Sequence, residues 1–122
     1  SVRVPIPSGS FVELTCLLKT EVSVQDVNNA MQAAADGPLK NILEFCTDPL
    51  VSADVIGNPH SCVLDAPSTL VIGKRHIKVC GWYDNEWGYA NRCVEMAIKM
   101  AETTEEREQV NRSLVGKVRA AA

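Results

Sequence analysis

Trp82-Tyr83-Asp84-Asn85-Glu86-Trp87-Gly88-Tyr89 is the densest polar and aromatic stretch of the chain, and it holds both tryptophans and both tyrosines. On its N-terminal side, His76 to Trp82 reads as a strand. On its C-terminal side a helix begins near Trp87, with Tyr89, Cys93, Met96 and Met100 along one side and Ala97 and Ala101 beside them. The stretch is therefore a strand-to-helix corner, where a scaffold can project side chains into a cleft. Two readings fit these residues. In one, the aromatics anchor the corner and Asp84 caps the helix. In the other, Asn85 is a recognition group: a neutral amide donates and accepts at once, which matches a carboxamide or a base edge but does little for proton transfer.

Upstream of the corner, Cys62 to Leu64 reads as a strand that breaks at Asp65-Ala66-Pro67 and resumes at Thr69 to Ile72. Gly73-Lys74 then turns the chain back into His76 to Trp82 as a hairpin. Leu50 to Val55 reads as a further short strand ahead of a turn at Gly57-Asn58-Pro59, and Asn41 to Cys46 as another, ended by Asp48-Pro49. Ser23 offers an N-cap, and Asp26 completes an acidic variant of the capping box. Val24, Val27, Met31 and Ala34 follow at helical spacing, and Gly37-Pro38 closes that helix. Phe11 to Lys19 alternates, with Val12, Leu14, Cys16 and Leu18 on one face, the pattern of a half-buried strand.

Downstream, Thr103-Thr104 is expected to cap a new helical segment with Val110, Leu114 and Val118 on a thin stripe. Its acids (Glu105, Glu106, Glu108) come first and its bases (Arg112, Lys117, Arg119) last, the order that suits a helix dipole. So thin a stripe needs a partner surface. The element order predicts an α+β fold, an antiparallel or mixed sheet with helices on one face. Residues 1–101 are expected to form the main domain and residues 102–122 a helical tail.

The 122 residues, 46% hydrophobic and 22% charged with a net charge of -3, suit one modest globular domain. A mildly acidic balance gives no electrostatic reason to expect nucleic acid or an anionic membrane as partner. No apolar run approaches bilayer length and no signal-like segment is present, so the expected setting is the cytoplasm, a plastid or another organelle interior. The five cysteines are odd in number, form no C-x-x-C pair and share the chain with two histidines. A structural metal is not expected, and the thiols read as reduced residues of the core.

At Trp82 to Arg92 the sequence W-Y-D-N-E-W-G-Y-A-N-R resembles the signature that leads into the last helix of phosphorylating glyceraldehyde-3-phosphate dehydrogenases. Arg3-Val4-Pro5-Ile6-Pro7 is similar to the R-V-P-x-P run that opens a strand of that family's catalytic domain. Between them, the stretches Ala33 to Leu43 and Pro49 to Asp54 fall in the family's order and spacing, so the resemblance runs from residue 1 to about 101. Ser8-Gly9 departs from the family's more familiar Asn-Val.

The resemblance implies roles for individual residues. Arg3 would bind phosphate or the substrate's phosphate group, which suits a guanidinium fork that stays charged at any working pH. Asn85 would hold the nicotinamide carboxamide of NAD or NADP. Tyr89 would pack near the nicotinamide ring and Tyr83 would line the site, while Asp84 and Glu86 are left structural. The family's catalytic cysteine, in an S-C-T-T-N motif, and its histidine both lie upstream of R-V-P and are not in this sequence. Cys46-Thr47-Asp48 resembles that motif only superficially, and His60 and His76 are read as surface or turn histidines. No catalytic residue is therefore assigned, and no metal.

The chain opens at Ser1, almost inside a strand, and the expectation is a portion of a longer enzyme, inactive alone. That enzyme would be a homotetramer acting on a sugar phosphate, with its dinucleotide-binding part N-terminal to this segment. Two alternatives accompany this reading. One is a non-catalytic assembly module that associates with a full-length dehydrogenase; the other is an erythrose-4-phosphate or arsenate-linked relative.

Overall fold

The computed structural model describes residues 4–120, and of residues 110, 111 and 113–120 the backbone alone. The contacts divide the chain into two units, one ending at Tyr89 and one beginning at Ala90. The first unit holds five strands: β1 (Ser10–Leu17), β2 (Leu43–Cys46), β3 (Cys62–Asp65), β4 (Leu70–Ile72) and β5 (His76–Tyr83). One helix, α1 (Val24–Asp36), lies between β1 and β2.

The sheet runs β1-β5-β3-β2, with β4 also paired to β5. It is mixed: β2 and β3 are parallel, while β5 is antiparallel to β1, β3 and β4. The fold is therefore the α+β mixed sheet that the element order predicts. β3 and β4 occupy successive stretches of the same edge of β5 and are separated by a 3-10 turn, Ala66–Ser68. Pro67 explains the interruption, because proline brings no N–H to a ladder.

The N-terminus of α1 is fixed by a reciprocal box. Asp26 N–H reaches Ser23 Oγ at 3.2 Å, and Ser23 N–H reaches Asp26 Oδ2 at 2.8 Å. Val27 then buries against Leu43, Leu64 and Val79, with Met31, Ala35, Phe45, Cys62, Val71 and Ile77 around them. These sheet residues share one face, because side chains alternate along each strand. On the opposite face Cys80 is buried and Phe11 meets Trp82 with ring centroids 4.6 Å apart. The 3-10 turn Ser52–Val55 supplies Val55, 1% exposed, as a further core residue.

Three expectations need correction. Leu50 to Val55 is no strand: Asp54 Oδ2 accepts Val51 N–H at 2.8 Å and winds the segment into the 3-10 turn. β1 forms, but its apolar face is not covered. Val12 and Leu14 are 47% and 54% exposed, since α1 packs across β2, β3 and β5 and β1 is the sheet edge. Finally, of the thiols expected in the core only Cys80 is buried; Cys16, Cys46 and Cys62 are intermediate and Cys93 is exposed, all five being free.

The second unit is helical. Helix α2 (Trp87–Ala120) begins in the corner and continues through residues 103 and 104 without a break. Thr103 and Thr104 start no new helix; their hydroxyls donate to the carbonyls of Lys99 and Met100, each at 2.8 Å. A hydroxyl that bonds the carbonyl four residues back is satisfied within the helix and caps no new one. The stripe Val110, Leu114 and Val118 lies outside the residues whose side chains are described. Among the described residues, no helix is long and apolar enough to cross a membrane.

Candidate functional site

The corner is built around Asp84, which is 6% exposed. Its Oδ1 accepts the N–H groups of Glu86 at 3.0 Å and Trp87 at 2.9 Å, and its Oδ2 accepts Gly57 N–H at 2.8 Å. The first helical bond follows, from Gly88 N–H to the Asp84 carbonyl at 3.0 Å. Three N–H donors favour the ionised carboxylate, so the Trp87 and Gly57 bonds hold its pKa below the usual aspartate value against the opposing effect of burial. Asp84 thus caps α2, as the structural reading proposes, and also ties the corner to a loop that the sequence pattern does not reveal.

That loop is residues 57–60. Gly57 stands at φ 78°, in the left-handed region where glycine is favoured. Asn58 Oδ1 accepts both the backbone N–H of His60 and its Nδ1–H, each at 2.9 Å, while Asn58 Nδ2 donates to Glu44 Oε2 at 2.7 Å. Because a carboxamide oxygen can only accept, His60 carries its proton on Nδ1, which also lies 3.2 Å from Glu44 Oε2. His60 is therefore a braced, partly buried loop residue, the turn histidine of the two sequence readings rather than the surface one. His76, by contrast, is an exposed residue at the start of β5. The loop also receives the helix start: a Cβ on Gly88 would stand 2.9 Å from the His60 carbonyl oxygen.

Asn85 is exposed at the apex of this corner, and its Oδ1 accepts from Ser10 Oγ at 3.3 Å. Ser10 pairs with Tyr83 at the end of the β1–β5 ladder, so Tyr83 and Asn85 meet through Ser10. Tyr89, in the first turn of α2, is 72% exposed. Tyr83 at the end of β5, Asn85 in the turn that follows and Tyr89 thus all belong to the junction of β5 and α2. Arg3 lies outside the described residues.

Ser10, Gly57 and Asn58 are the site-supporting residues that sequence reasoning missed. Gly57-Asn58-Pro59 signalled a turn, but no local pattern shows that a turn 27 residues upstream will donate to Asp84. Gly9 adds a related point. Its φ is 97°, and a Cβ there would lie 2.8 Å from the Ser52 carbonyl oxygen. The glycine that departs from the family's Asn-Val thus occupies a backbone position closed to valine.

Asn85 presents a carboxamide beside the exposed side chains of Glu86 and Tyr89, and a carboxamide complements another carboxamide without a change of charge. Cys62 and Cys80 are held as thiols, their pKa values raised mainly by burial. Cys46 Sγ contacts the Asp48 carbonyl oxygen at 3.7 Å. Among the described residues, no group of three or more His, Cys, Asp or Glu side chains is placed to hold a metal ion.

The sequence profile described as "Glyceraldehyde 3-phosphate dehydrogenase, C-terminal domain" matches residues 1–85. The chain is 50% identical over 97 residues to glyceraldehyde-3-phosphate dehydrogenase 2 of Streptomyces arenae, an alignment covering 80% of this chain and 29% of that protein. It is 52% identical over 95 residues to the Kitasatospora aureofaciens glyceraldehyde-3-phosphate dehydrogenase, covering 78% and 28%. With the Mycolicibacterium smegmatis protein of the same name it is 51% identical over 96 residues, covering 79% and 28%. The chain thus spans less than a third of the length of these relatives.

Proposed function

The chain belongs to the glyceraldehyde 3-phosphate dehydrogenase C-terminal domain family, and from that premise we propose that it is the ligand-positioning portion of a phosphorylating dehydrogenase. The whole enzyme would oxidise the aldehyde of glyceraldehyde 3-phosphate, with NAD or NADP, to 1,3-bisphosphoglycerate. Asn85 is assigned to the nicotinamide carboxamide, Tyr89 to packing beside the nicotinamide ring, Tyr83 to the site wall and Arg3 to the phosphate. When bound, the nicotinamide supplies the hydride acceptor. The residues of this chain contribute binding and orientation: a carboxamide that donates and accepts, an aromatic surface and a permanent cation.

The observation that carries this reading is the Asn85 carboxamide, exposed on a corner pinned by three hydrogen bonds to Asp84 and lying within the family-matched span. A nucleophile with an adjacent base is what oxidation through a covalent intermediate requires. Neither is assigned here, so the isolated chain is inactive and works with an N-terminal dinucleotide-binding part, in a homotetramer of the cytoplasm or an organelle interior. The intact mass of the native polypeptide tests this assignment. A mass near the full length of the relatives supports it, whereas a mass of 13.3 kDa moves the search to a separate partner polypeptide. Aldehyde-dependent reduction of NAD or NADP by the purified chain would overturn the predicted inactivity.

A further inference from the structure

An ordinary helix cap requires one side-chain oxygen and the local N–H groups that follow it. Asp84 meets that requirement with Oδ1 alone, through Glu86 and Trp87. Its second oxygen reaches away from the helix to Gly57 at 2.8 Å. Asn85 is the residue enclosed between Asp84 and the first of those local donors, so the orientation of its backbone follows the carboxylate. Beneath the corner, Gly88 closes on the His60 carbonyl, and the loop carrying Gly57 and His60 is braced by the Asn58 and Glu44 contacts. Above it, Ser10 tethers the Asn85 side chain.

From this arrangement we infer that Asp84 is a positioning residue for Asn85, fastening the corner to loop 57–60 so that the carboxamide is presented in one place. The inference rests on the reading of Asn85 as the nicotinamide contact. A corner released from Gly57 pivots about the end of β5. A recognition group that must be ordered anew on each encounter lowers affinity, through the entropy of ordering, more than it lowers the rate of the bound complex.

The test uses the complete dehydrogenase, this chain together with its dinucleotide-binding part, and titrates oxidised nicotinamide dinucleotide against tryptophan fluorescence. Asp84→Ser keeps a capping oxygen at the helix start but is too short to reach Gly57. Asp84→Ser and Asn85→Ala are each expected to weaken binding about tenfold, the worth of one hydrogen bond. The double variant should bind no worse than Asn85→Ala alone, because a deleted carboxamide has nothing left to position. In turnover, Asp84→Ser should raise the cofactor KM by more than it lowers kcat.

Unchanged affinity in Asp84→Ser beside weakened binding in Asn85→Ala would overturn the inference and leave the underlying reading intact. So would losses that multiply in the double variant. If Asn85→Ala itself binds normally, the reading of Asn85 fails, and the inference with it. Should Asp84→Ser not fold, the near-isosteric Asp84→Asn replaces it, with the same outcomes deciding.

Discussion

Asp84 divides its two carboxylate oxygens between the start of α2 and the loop at Gly57. Its position at a strand-to-helix corner predicts a cap, and it caps α2. The hydrogen bonds from Trp87 and Gly57 lower its pKa and so give the corner a pH dependence. A carboxylate held below its unfolded value, about 3.9, contributes stability that is fully present above that value. The contribution is lost as the pH falls through the lower folded value. Urea unfolding at several pH values between about 6 and 3 should therefore show stability declining at the acid end, with Asp84→Asn flattening that part of the decline. A variant that tracks the parent at every pH would show that the hydrogen bonds to Asp84 do not stabilise the fold. Asn85 stood out in the sequence as a candidate recognition group because an amide both donates and accepts; Ser10, its tether 75 residues away, carried no local signal.

Among the elements, β5 bears the most constraint, since β1 lies on one side of it and β3 and β4 on the other. Gly81 sits at the centre of this arrangement, paired with both Val12 and Leu64. A Cβ at Gly81 would run into Cys62 Sγ, with Val12 Cγ1 and the Val63 carbonyl oxygen close behind. Gly81→Ala is therefore expected to destabilise the chain by about 1–3 kcal/mol, the usual range for overpacking. Adding Cys62→Ala should recover part of that loss. Chemical denaturation of the two single variants and the double would check this, and strictly additive losses would count against the clash. Elements with a local cause were readable: the Ser23–Asp26 box starts α1, and Gly73-Lys74 turns β4 into β5. The segment 52–55 was not, because its apolar residues fit a strand and the deciding contact is a single side-chain bond from Asp54 to Val51. Thr103 and Thr104 misled for a related reason. The hydroxyl that caps one helix can also bond backward within another, and only the coordinates show which it does.

At the scale of the whole molecule, apolar surface is left open in each unit. Val12 and Leu14 are exposed on β1 in the first, and Val94, Met96, Ile98 and Met100 are 54–65% exposed on α2 in the second. Among the described residues, β1 also presents an unpaired edge eight residues long, the kind of edge that pairs readily with another chain. The purified chain alone is therefore expected to self-associate as its concentration rises, measured by light scattering or sedimentation. Supplying the dinucleotide-binding part should suppress that association. A stable monomer would instead favour a free-standing module, since it would show that these faces need no cover.

The sequence by itself determined the family, through colinear motifs from Arg3 to Arg92, and the α+β order of elements, through hydrophobic periodicity and local capping chemistry. It also placed Tyr83, Asn85 and Tyr89 on one strand-to-helix corner, because all three fall within eight consecutive residues. Tertiary structure alone decided that β2 and β3 run parallel and that β1 is an uncovered edge. It alone decided that the corner rests on loop 57–60. The physical reason is common to all three. Periodicity and caps are written by neighbours within a few residues, whereas strand direction, coverage and a bond from Gly57 to Asp84 depend on segments that meet only when the chain has folded.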